Sequence, residues 1–277
     1  MSQRSDQWLA GGLVALAAGL AANSLLGPLV AGVITYPLSE PVMNQILGVE
    51  AVSLLIVAPL SVLAAVLFLR GNPNGPMVAI PPAAYTAYMF VQYIIGPQYV
   101  NYSPAILLHL ALFILGGVLF VESWSRVRVK DLPTISPQRK RIYSGGLVLL
   151  ALFASFSYLF AVPRILTGGT IPAEYTGDPS VYWTIFLMDL GIVVPISVAV
   201  GLSLLQGKVW ARKAIYGFVE WFALVTIAIL AMFVSMLVHN DPNVTVGTVV
   251  VLFIATLLIT AFAIWGYLPF LRHASPK

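Results

Sequence analysis

Four ionisable side chains lie inside long apolar stretches of this sequence: Glu50, His109, Asp189 and Glu220. A charge at the centre of a membrane helix costs roughly 2.5–3.5 kcal/mol on insertion scales, so a group in such a position needs a functional or a structural reason. Carboxylates in this setting can bind a small solute or an ion, and a carboxylate paired with a histidine can act as acid and base. These four residues are therefore the first candidates for chemistry.

Three of these four residues share one side of the predicted membrane. Glu50 and His109 lie about six residues from the outer ends of their apolar segments, and Asp189 lies about eight residues from the outer end of its own. Glu220 approaches from the cytoplasmic side. Asp189 is the central candidate because of its depth, although it could instead brace a helix that breaks at Pro195. The sequence therefore predicts a polar cluster in the outer half of the membrane.

A polar stripe on the third apolar segment supports the same cluster. Tyr85, Tyr88 and Gln92 are spaced i, i+3 and i+7, which places them on one face of a helix. A polar face on an apolar helix should face the interior of a bundle rather than lipid. Arg164 is the one basic residue on the outer side, where it could attract an anion or pair with a nearby carboxylate. The predicted ligand-binding residues are Asp189, Glu50, His109, Tyr85, Tyr88, Gln92, Glu220 and Arg164.

Structural interpretations of these groups stay open. Glu50 could be protonated and hydrogen-bonded to a neighbouring helix, and His109 could be an ordinary packed histidine of the core. Glu220 could pair with Lys213 as the lysine extends toward the membrane surface. In each case the group would hold helices together without binding a ligand.

The composition places these residues in a membrane protein. Of the 277 residues, 60% are hydrophobic and 9% are charged, and the mean hydropathy is +0.94. An average soluble domain has roughly 45–50% apolar and about 25% charged residues. These values exclude a cytosolic enzyme, a disordered chain and a nucleic-acid-binding protein. The absence of cysteine also excludes disulfides, thiolate metal sites and a cysteine nucleophile.

Eight apolar segments are long enough to cross a membrane, for which a helix needs about 20 residues. The first segment is longer than one crossing requires, and it contains Gly27 and Pro28. We expect a single kinked helix there, and a shorter span followed by an interfacial segment is the alternative. We also expect that this segment is retained as a span and is not cleaved as a signal peptide. The eight segments are Trp8–Tyr36, Asn44–Leu69, Met77–Ile95, Pro104–Trp124, Ile142–Val162, Val181–Gln206, Ala211–Val238 and Val246–Leu271.

The distribution of Lys and Arg predicts the orientation of these spans. With eight crossings and both termini in the cytoplasm, thirteen of the fourteen basic residues face the cytoplasm and only Arg164 lies outside. Seven crossings would separate the termini and break this partition. The sequence therefore predicts a multi-pass protein of the cell membrane with both termini in the cytoplasm. Its fold is predicted to be a polytopic helical bundle, formed by one all-α transmembrane domain over residues 1–277.

Two segments that run in the same direction across the membrane resemble each other. Pro59–Gly71 aligns without gaps on Pro195–Gly207, with five identities in thirteen positions. Such a match predicts two parallel four-helix halves, residues 1–124 and 142–277, joined by the basic loop 125–141, an arrangement known in transporters. Chance similarity between apolar helices is the alternative.

Several familiar chemistries have no basis in the sequence. No lysine lies deep inside an apolar segment, so a retinal Schiff base cannot form within the bundle. The motifs H-E-x-x-H, G-x-x-x-x-G-K-[ST] and G-x-S-x-G are absent. The sequence therefore predicts no metal site and identifies no cofactor.

Three segments resemble a family of uncharacterised prokaryotic multi-spanning membrane proteins: Met43–Leu60, the tyrosine-rich third span and Leu187–Pro195. The likeness extends at a low level over the second to seventh spans. Family members have a motif closer to Gly-Gln-Asp-Leu-Val where this chain has Gly-Val-Glu-Ala-Val at positions 48–52. The resemblance implies that the acidic residue of the second span and the Asp-Leu-Gly of the sixth are features of the family, and it implies no activity.

The leading functional hypothesis is a membrane protein whose outer-half polar cluster binds a small solute or ion for transport or sensing. The alternative is a helical scaffold or accessory subunit, whose partner is another membrane protein or a second copy of this chain, and whose polar groups only join helices. A third hypothesis is an intramembrane enzyme that uses a carboxylate and His109 as acid and base. All three place the chain in a lipid bilayer and none involves nucleic acid.

Overall fold

Seven helices among the described residues, 3–273 of this computed structural model, are long and apolar enough to cross a membrane. They confirm the prediction of an all-α, multi-spanning membrane protein. An eighth helix, Pro137–Leu159, has the length of a span but is not one of the seven. The long helices are α1 (Gln3–Leu26), α2 (Glu40–Leu69), α3 (Gly75–Ile95), α4 (Pro104–Arg126), α5 (Pro137–Leu159), α6 (Pro179–Leu205), α7 (Val209–Val238) and α8 (Val246–His273).

Seven of the eight predicted segments match α2 to α8 to within five residues at each end. The first segment does not match, and the prediction of a kinked helix over Trp8–Tyr36 is wrong. Helix α1 ends at Leu26, because Pro28 has no N–H to donate into the preceding turn and Gly32 has a left-handed φ of 62°. Residues 27–39 form a loop that brings Tyr36 back onto the end of α1.

Helices α2 and α6 each contain one turn of π-helix. The turns are Ser53–Val57 in α2 and Asp189–Val193 in α6. Each turn ends two residues before a proline. Because proline has no N–H, it cannot donate a hydrogen bond to the residue four positions earlier, and the α-helical hydrogen-bond pattern is interrupted at this point. Asp189 therefore lies at the start of a widened turn rather than in a regular helix.

The bundle has two distinct ends. At one, which we call the basic end, Arg126 at the end of α4 forms an ion pair with Asp6 in α1, and the Lys213 ammonium of α7 donates to the Trp124 carbonyl at 2.7 Å. At the opposite end, the Ser180 hydroxyl of α6 donates to the Gly96 carbonyl after α3 at 2.5 Å. The helices thus run alternately between the two ends.

Helix α5 extends from the basic end to the opposite end. Near its start, the Tyr143 hydroxyl donates to the Gly266 carbonyl of α8 at 3.1 Å, and the Ser144 hydroxyl donates to the Gly201 carbonyl of α6 at 2.8 Å. Near its finish, the Tyr158 hydroxyl donates to Asp189. Its 23 residues span about 35 Å at 1.5 Å per residue, which is the length of a membrane crossing.

Helix α3 lies at the centre of the bundle and helix α8 at its edge. Along an apolar stretch of 18 residues in each helix, 56% of the residues are buried in α3 and 11% in α8. Helices α2 and α7 cross closely at Gly48, where an added Cβ would overlap the Ala231 carbonyl group. The core therefore lies around α2, α3 and α7, and α8 presents most of its surface to the surroundings.

Candidate functional site

The carboxylate of Asp189 is bound by two tyrosine hydroxyls. Tyr88 of α3 donates to Oδ1 at 2.6 Å, and Tyr158 of α5 donates to Oδ2 at 2.7 Å. Hydrogen bonds of this length to a carboxylate oxygen are typical of charge-assisted pairs. The π-turn of α6 thus holds one carboxylate between two neighbouring helices.

This carboxylate lines a cavity of about 660 Å³. Small-molecule sites are typically clefts of roughly 300–1,000 Å³ with mainly apolar walls and a few polar groups, and this cavity has that character. Gln92 and Trp221 line it from α3 and α7, and Thr248 lines it from α8. Glu174 and Tyr175 line it from the loop before α6.

Glu50 belongs to a second polar cluster, formed by α1, α2, α4 and the loop 27–39. Its Oε1 accepts a hydrogen bond from the Tyr36 hydroxyl at 3.0 Å and from Asn23 Nδ2 at 3.3 Å. Asn23 Oδ1 lies 3.0 Å from His109 Nε2, and the Ser24 hydroxyl donates to the Glu50 backbone carbonyl at 3.0 Å. We call these five residues, Glu50, Asn23, Ser24, Tyr36 and His109, the Glu50 cluster.

The Glu50 cluster is closed. Glu50, His109 and Ser24 are each 0% exposed, and none of the five residues lines the cavity. An added Cβ at Gly27 would lie 2.8 Å from both carboxylate oxygens of Glu50. The ring of Tyr93 packs edge-on against His109 with 5.1 Å between centroids. The protein itself therefore occupies the space around this carboxylate.

The predicted polar stripe of α3 is divided between two environments. Tyr88 and Gln92 line the cavity, whereas Tyr85 is 0% exposed and does not line it. Its ring lies in the core on the side of Ser53 in α2. Helical spacing placed the three residues on one face, but that face is wide enough to meet both the cavity and a neighbouring helix.

Glu220 and Arg164 lie away from the cavity. Glu220 lies near Tyr267 of α8, and Lys213 donates to the Trp124 carbonyl instead of pairing with Glu220. Arg164 is exposed in the short helix Ala161–Leu166, and among the described residues it forms no ion pair. The structure brings together Asp189, Tyr88 and Gln92 and separates the other five predicted residues from them.

Sequence reasoning did not identify Tyr158 or Tyr175. Tyr158 lies near the end of α5, where tyrosines commonly belong to the membrane interface, and only its contact with another helix distinguishes it. The Tyr175 hydroxyl donates to Gln45 Oε1 at 3.0 Å, and burial together with the neighbouring Glu174 carboxylate raises its pKa above the usual value. A search for hydroxyl donors near the ends of the segments flanking Asp189 would have found both.

No group of three or more His, Cys, Asp or Glu side chains within residues 3–273 is close enough together to hold a metal ion. The cavity offers the Asp189 carboxylate with its two hydroxyl partners, and Glu174, Gln92 and several aromatic rings also line it. This arrangement can accept hydrogen bonds from a ligand and can balance a positive charge.

The resemblance to a family of uncharacterised prokaryotic membrane proteins stays a prediction. Comparisons with protein-family models, with curated proteins and with solved structures find no match to this chain, so its own residues must carry any assignment of function.

Proposed function

We propose that this membrane protein binds a small solute in the Asp189 cavity, for transport or for sensing. The observation that carries the proposal is a carboxylate with two hydroxyl partners that lines a 660 Å³ cavity in the helical bundle. A purely structural carboxylate would be enclosed by protein, as Glu50 is. Asp189 instead adjoins open space that a solute can occupy.

A scaffold or accessory-subunit function is the second candidate, and the Glu50 cluster favours it. There the same residue types only join α1, α2, α4 and the loop 27–39. An enzyme that pairs Asp189 with His109 gains no support, because His109 does not line the cavity.

A paired melting experiment tests the binding proposal. Wild type, Asp189→Asn and Glu50→Gln, each in lipid nanodiscs, are melted with a panel of ions and small metabolites. We expect at least one solute to stabilise the wild type and Glu50→Gln but not Asp189→Asn. Stabilisation that is equal in all three proteins would contradict the assignment of Asp189, and stabilisation of none would favour the scaffold.

We also propose eight crossings with both termini in the cytoplasm. The contacts of α5 at both ends of the bundle support a crossing by this helix, and the clustering of basic residues supports the orientation. Because the chain lacks cysteine, single substitutions report topology directly. Thr134→Cys should react with an impermeant maleimide only from the cytoplasm, and Thr170→Cys only from outside. Labelling of both from one side would overturn the eight-span arrangement.

We further propose that the two halves arose by duplication of a four-helix unit. The offset that carries Pro59 to Pro195 also carries the π-turn Ser53–Val57 onto Asp189–Val193. The same offset carries Gly71, with φ of 62°, onto Gly207, with φ of 74°. These coincidences in backbone geometry support a common origin more strongly than the identities alone.

In each half, a glycine of the first helix lies close to a side chain of the fourth. An added Cβ at Gly12 in α1 would lie 2.9 Å from the Leu119 side chain of α4, and one at Gly146 in α5 would lie 2.5 Å from the Phe262 ring of α8. Each glycine follows another glycine and precedes a leucine that is 0% exposed. Separately expressed halves, residues 1–130 and 131–277, should assemble into a complex; failure to copurify would count against two four-helix units.

A further inference from the structure

We infer that the ligand of the Asp189 cavity is an amphipathic organic cation: a single positive charge bound at Asp189 and an apolar or aromatic body held between α5, α7 and α8. This inference rests on the proposed function and specifies its ligand class. The charge of the lining residues, their aromatic content, the route to the bundle surface and the size of the cavity each support it.

The charge of the cavity favours a cation. Asp189 and Glu174 both line it, and among the described residues that line it none is Lys, Arg or His. Asp189 accepts its hydrogen bonds from the hydroxyls of Tyr88 and Tyr158, which carry no charge. A compensating positive charge stabilises an ionised carboxylate at this depth, and a bound cation supplies it. An anionic ligand would meet two carboxylates without any basic partner.

Aromatic rings surround the carboxylate. Tyr88 packs edge-on against Trp221, with 5.0 Å between ring centroids, while its hydroxyl binds Asp189. Tyr158 packs in the same manner against Phe186 at 5.1 Å. Rings in this position attract a cation through their π faces, with Trp the strongest, and they accommodate an apolar body equally well. The walls therefore suit an organic cation better than a strongly hydrated one.

The apolar part of the cavity reaches the surface of the bundle between α5 and α8. Phe156 of α5 and Val251 of α8 both line the cavity, yet they are 61% and 66% exposed. Contacts between these two helices lie near the basic end, at Tyr143 and Gly266, while the cavity lies toward the other end of α5. A ligand with an apolar body can thus contact the lipid-facing side while its charged group is at Asp189.

The size of the cavity favours an organic molecule over a bare inorganic ion as its occupant. A volume of 660 Å³ is suited to an organic molecule, and a bare metal ion would need several oxygen or nitrogen ligands that converge on one point. Among residues 3–273, no three His, Cys, Asp or Glu side chains converge in this way. One carboxylate with two hydroxyls is sufficient for a single organic charge.

Two ions of matched shape test the sign of the charge. Tritiated tetraphenylphosphonium and unlabelled tetraphenylborate have nearly the same size and apolar surface but opposite charge. Their binding to the purified protein in nanodiscs is measured against empty nanodiscs, with tetramethylammonium as a cation that lacks an apolar body. We expect saturable binding of tetraphenylphosphonium, at least tenfold weaker competition by tetraphenylborate, and at least tenfold weaker competition by tetramethylammonium.

Three variants locate the binding. Asp189→Asn should weaken tetraphenylphosphonium binding at least tenfold, and Glu174→Gln at the rim of the cavity should weaken it about two- to threefold. Glu50→Gln, which alters a buried carboxylate outside the cavity, should leave it within twofold. Because Glu174 lies in a loop, its variant remains informative even if Asp189→Asn folds poorly.

Several outcomes would overturn the inference. These are tetraphenylborate binding as tightly as its cationic counterpart, competition by tetramethylammonium at equal strength, binding that Asp189→Asn and Glu174→Gln leave unchanged, and no saturable binding of tetraphenylphosphonium. If binding of tetraphenylphosphonium fails but the metabolite panel shows another solute that depends on Asp189, only the ligand class is wrong. If no panel member binds either, the proposed function fails as well.

Discussion

The Glu50 cluster and the Asp189 cavity contain similar structural elements, but they differ in the space beside the carboxylate. Each has a carboxylate on a helix with a π-turn, and each carboxylate is contacted by a residue near the end of the preceding long helix. Glu50 is fully enclosed, whereas Asp189 adjoins a cavity of about 660 Å³. A buried carboxylate alone therefore does not identify a binding site, because a ligand also needs open space beside it.

The connecting loops account for part of this difference. The loop 27–39 folds back into the bundle, so Tyr36 and Gly27 fill the space beside Glu50. The loop 160–178 contributes Glu174 and Tyr175 to the edge of the cavity and leaves its interior open. Its Asp178 accepts hydrogen bonds from Ser39, which fixes one end of that loop against the start of α2.

The fourth helix of each half accounts for the rest. Helix α4 packs against α1 so closely that an added Cβ at Gly19 would lie 2.6 Å from the Leu112 side chain. Helix α8 contributes Gly247, Thr248 and Val251 to the cavity wall instead. The first half is thus closed by helix packing, and the second remains open between α5 and α8.

The largest expected effect comes from removing the two carboxylates in turn. Glu50→Ala should lower the free energy of unfolding by about 2–3 kcal/mol, because it creates a void and leaves Tyr36 and Asn23 without their buried partner. Asp189→Ala should cost less than about 1 kcal/mol, because water in the cavity can hydrate the freed tyrosine hydroxyls. Denaturation of both variants in one detergent measures the difference. Equal costs would remove the distinction between a closed and an open cluster.

A substitution at Gly27 tests the tight packing of the closed side. Gly27→Ala should cost about 1–3 kcal/mol, since its Cβ would lie 2.5 Å from the Asn23 carbonyl oxygen and 2.8 Å from the Glu50 carboxylate. Gly11→Ala is the matched control, because a Cβ there has nothing within 4 Å. The control should be neutral or slightly stabilising in thermal unfolding. A Gly27→Ala protein as stable as the control would show that loop 27–39 does not close the cluster.

Removal of one tyrosine hydroxyl should lower stability in the Glu50 cluster, whereas in the Asp189 cavity it should weaken ligand binding. Tyr36→Phe removes a hydrogen bond to Glu50 and should lower stability by about 1 kcal/mol without affecting ligand binding. Tyr158→Phe should leave stability within about 0.5 kcal/mol and weaken ligand binding several-fold, because the hydroxyl that orients Asp189 is lost. Melting curves and binding isotherms for both variants separate the two effects. If Tyr36→Phe weakened binding and Tyr158→Phe lowered stability, the Glu50 cluster would be the binding site and the Asp189 group the structural one.

Filling the cavity should have the smallest effect on stability. Ala154→Leu adds apolar volume at the cavity wall and should change the free energy of unfolding by less than about 0.5 kcal/mol while abolishing ligand-induced stabilisation. Leu149→Ile, at an exposed position of the same helix, is the control and should retain ligand-induced stabilisation. Normal binding by the filled variant would place the ligand elsewhere.

Sequence alone predicted most of the helices and only part of the site. Hydropathy located α2 to α8, but it could not show that α1 ends before Pro28, because the apolar stretch continues through the loop to Tyr36. Residue depth selected Asp189, which lines the cavity. Depth does not determine the direction in which a side chain faces, so it grouped Asp189 with Glu50 and His109, which lie in a different cluster.

Tyr158 shows a second limit of the same kind. Its importance depends on the packing of α5 against α6, and nothing in its local sequence distinguishes it from an interface tyrosine. Tyr88 was found because it belongs to a polar stripe on one helix. Contacts within a helix follow from spacing, whereas contacts between helices require the tertiary arrangement.

The π-turns have a consequence for insertions and deletions. Before the turn in α6 the buried positions Val181, Thr184 and Met188 follow the α-helical period, and after it the buried positions resume one residue later than that period predicts. The extra residue is thus absorbed within the turn, and both parts of the helix keep the same buried side. Deleting one residue within Asp189–Val193, for example Leu190, should convert the turn to a regular helix without rotating the C-terminal part of α6. The same deletion near Val200 would turn the remaining residues by about 100° and expose their buried side. The buried positions of α6 from the end of the turn onward are Val193, Ser197, Val200, Gly201 and Leu204.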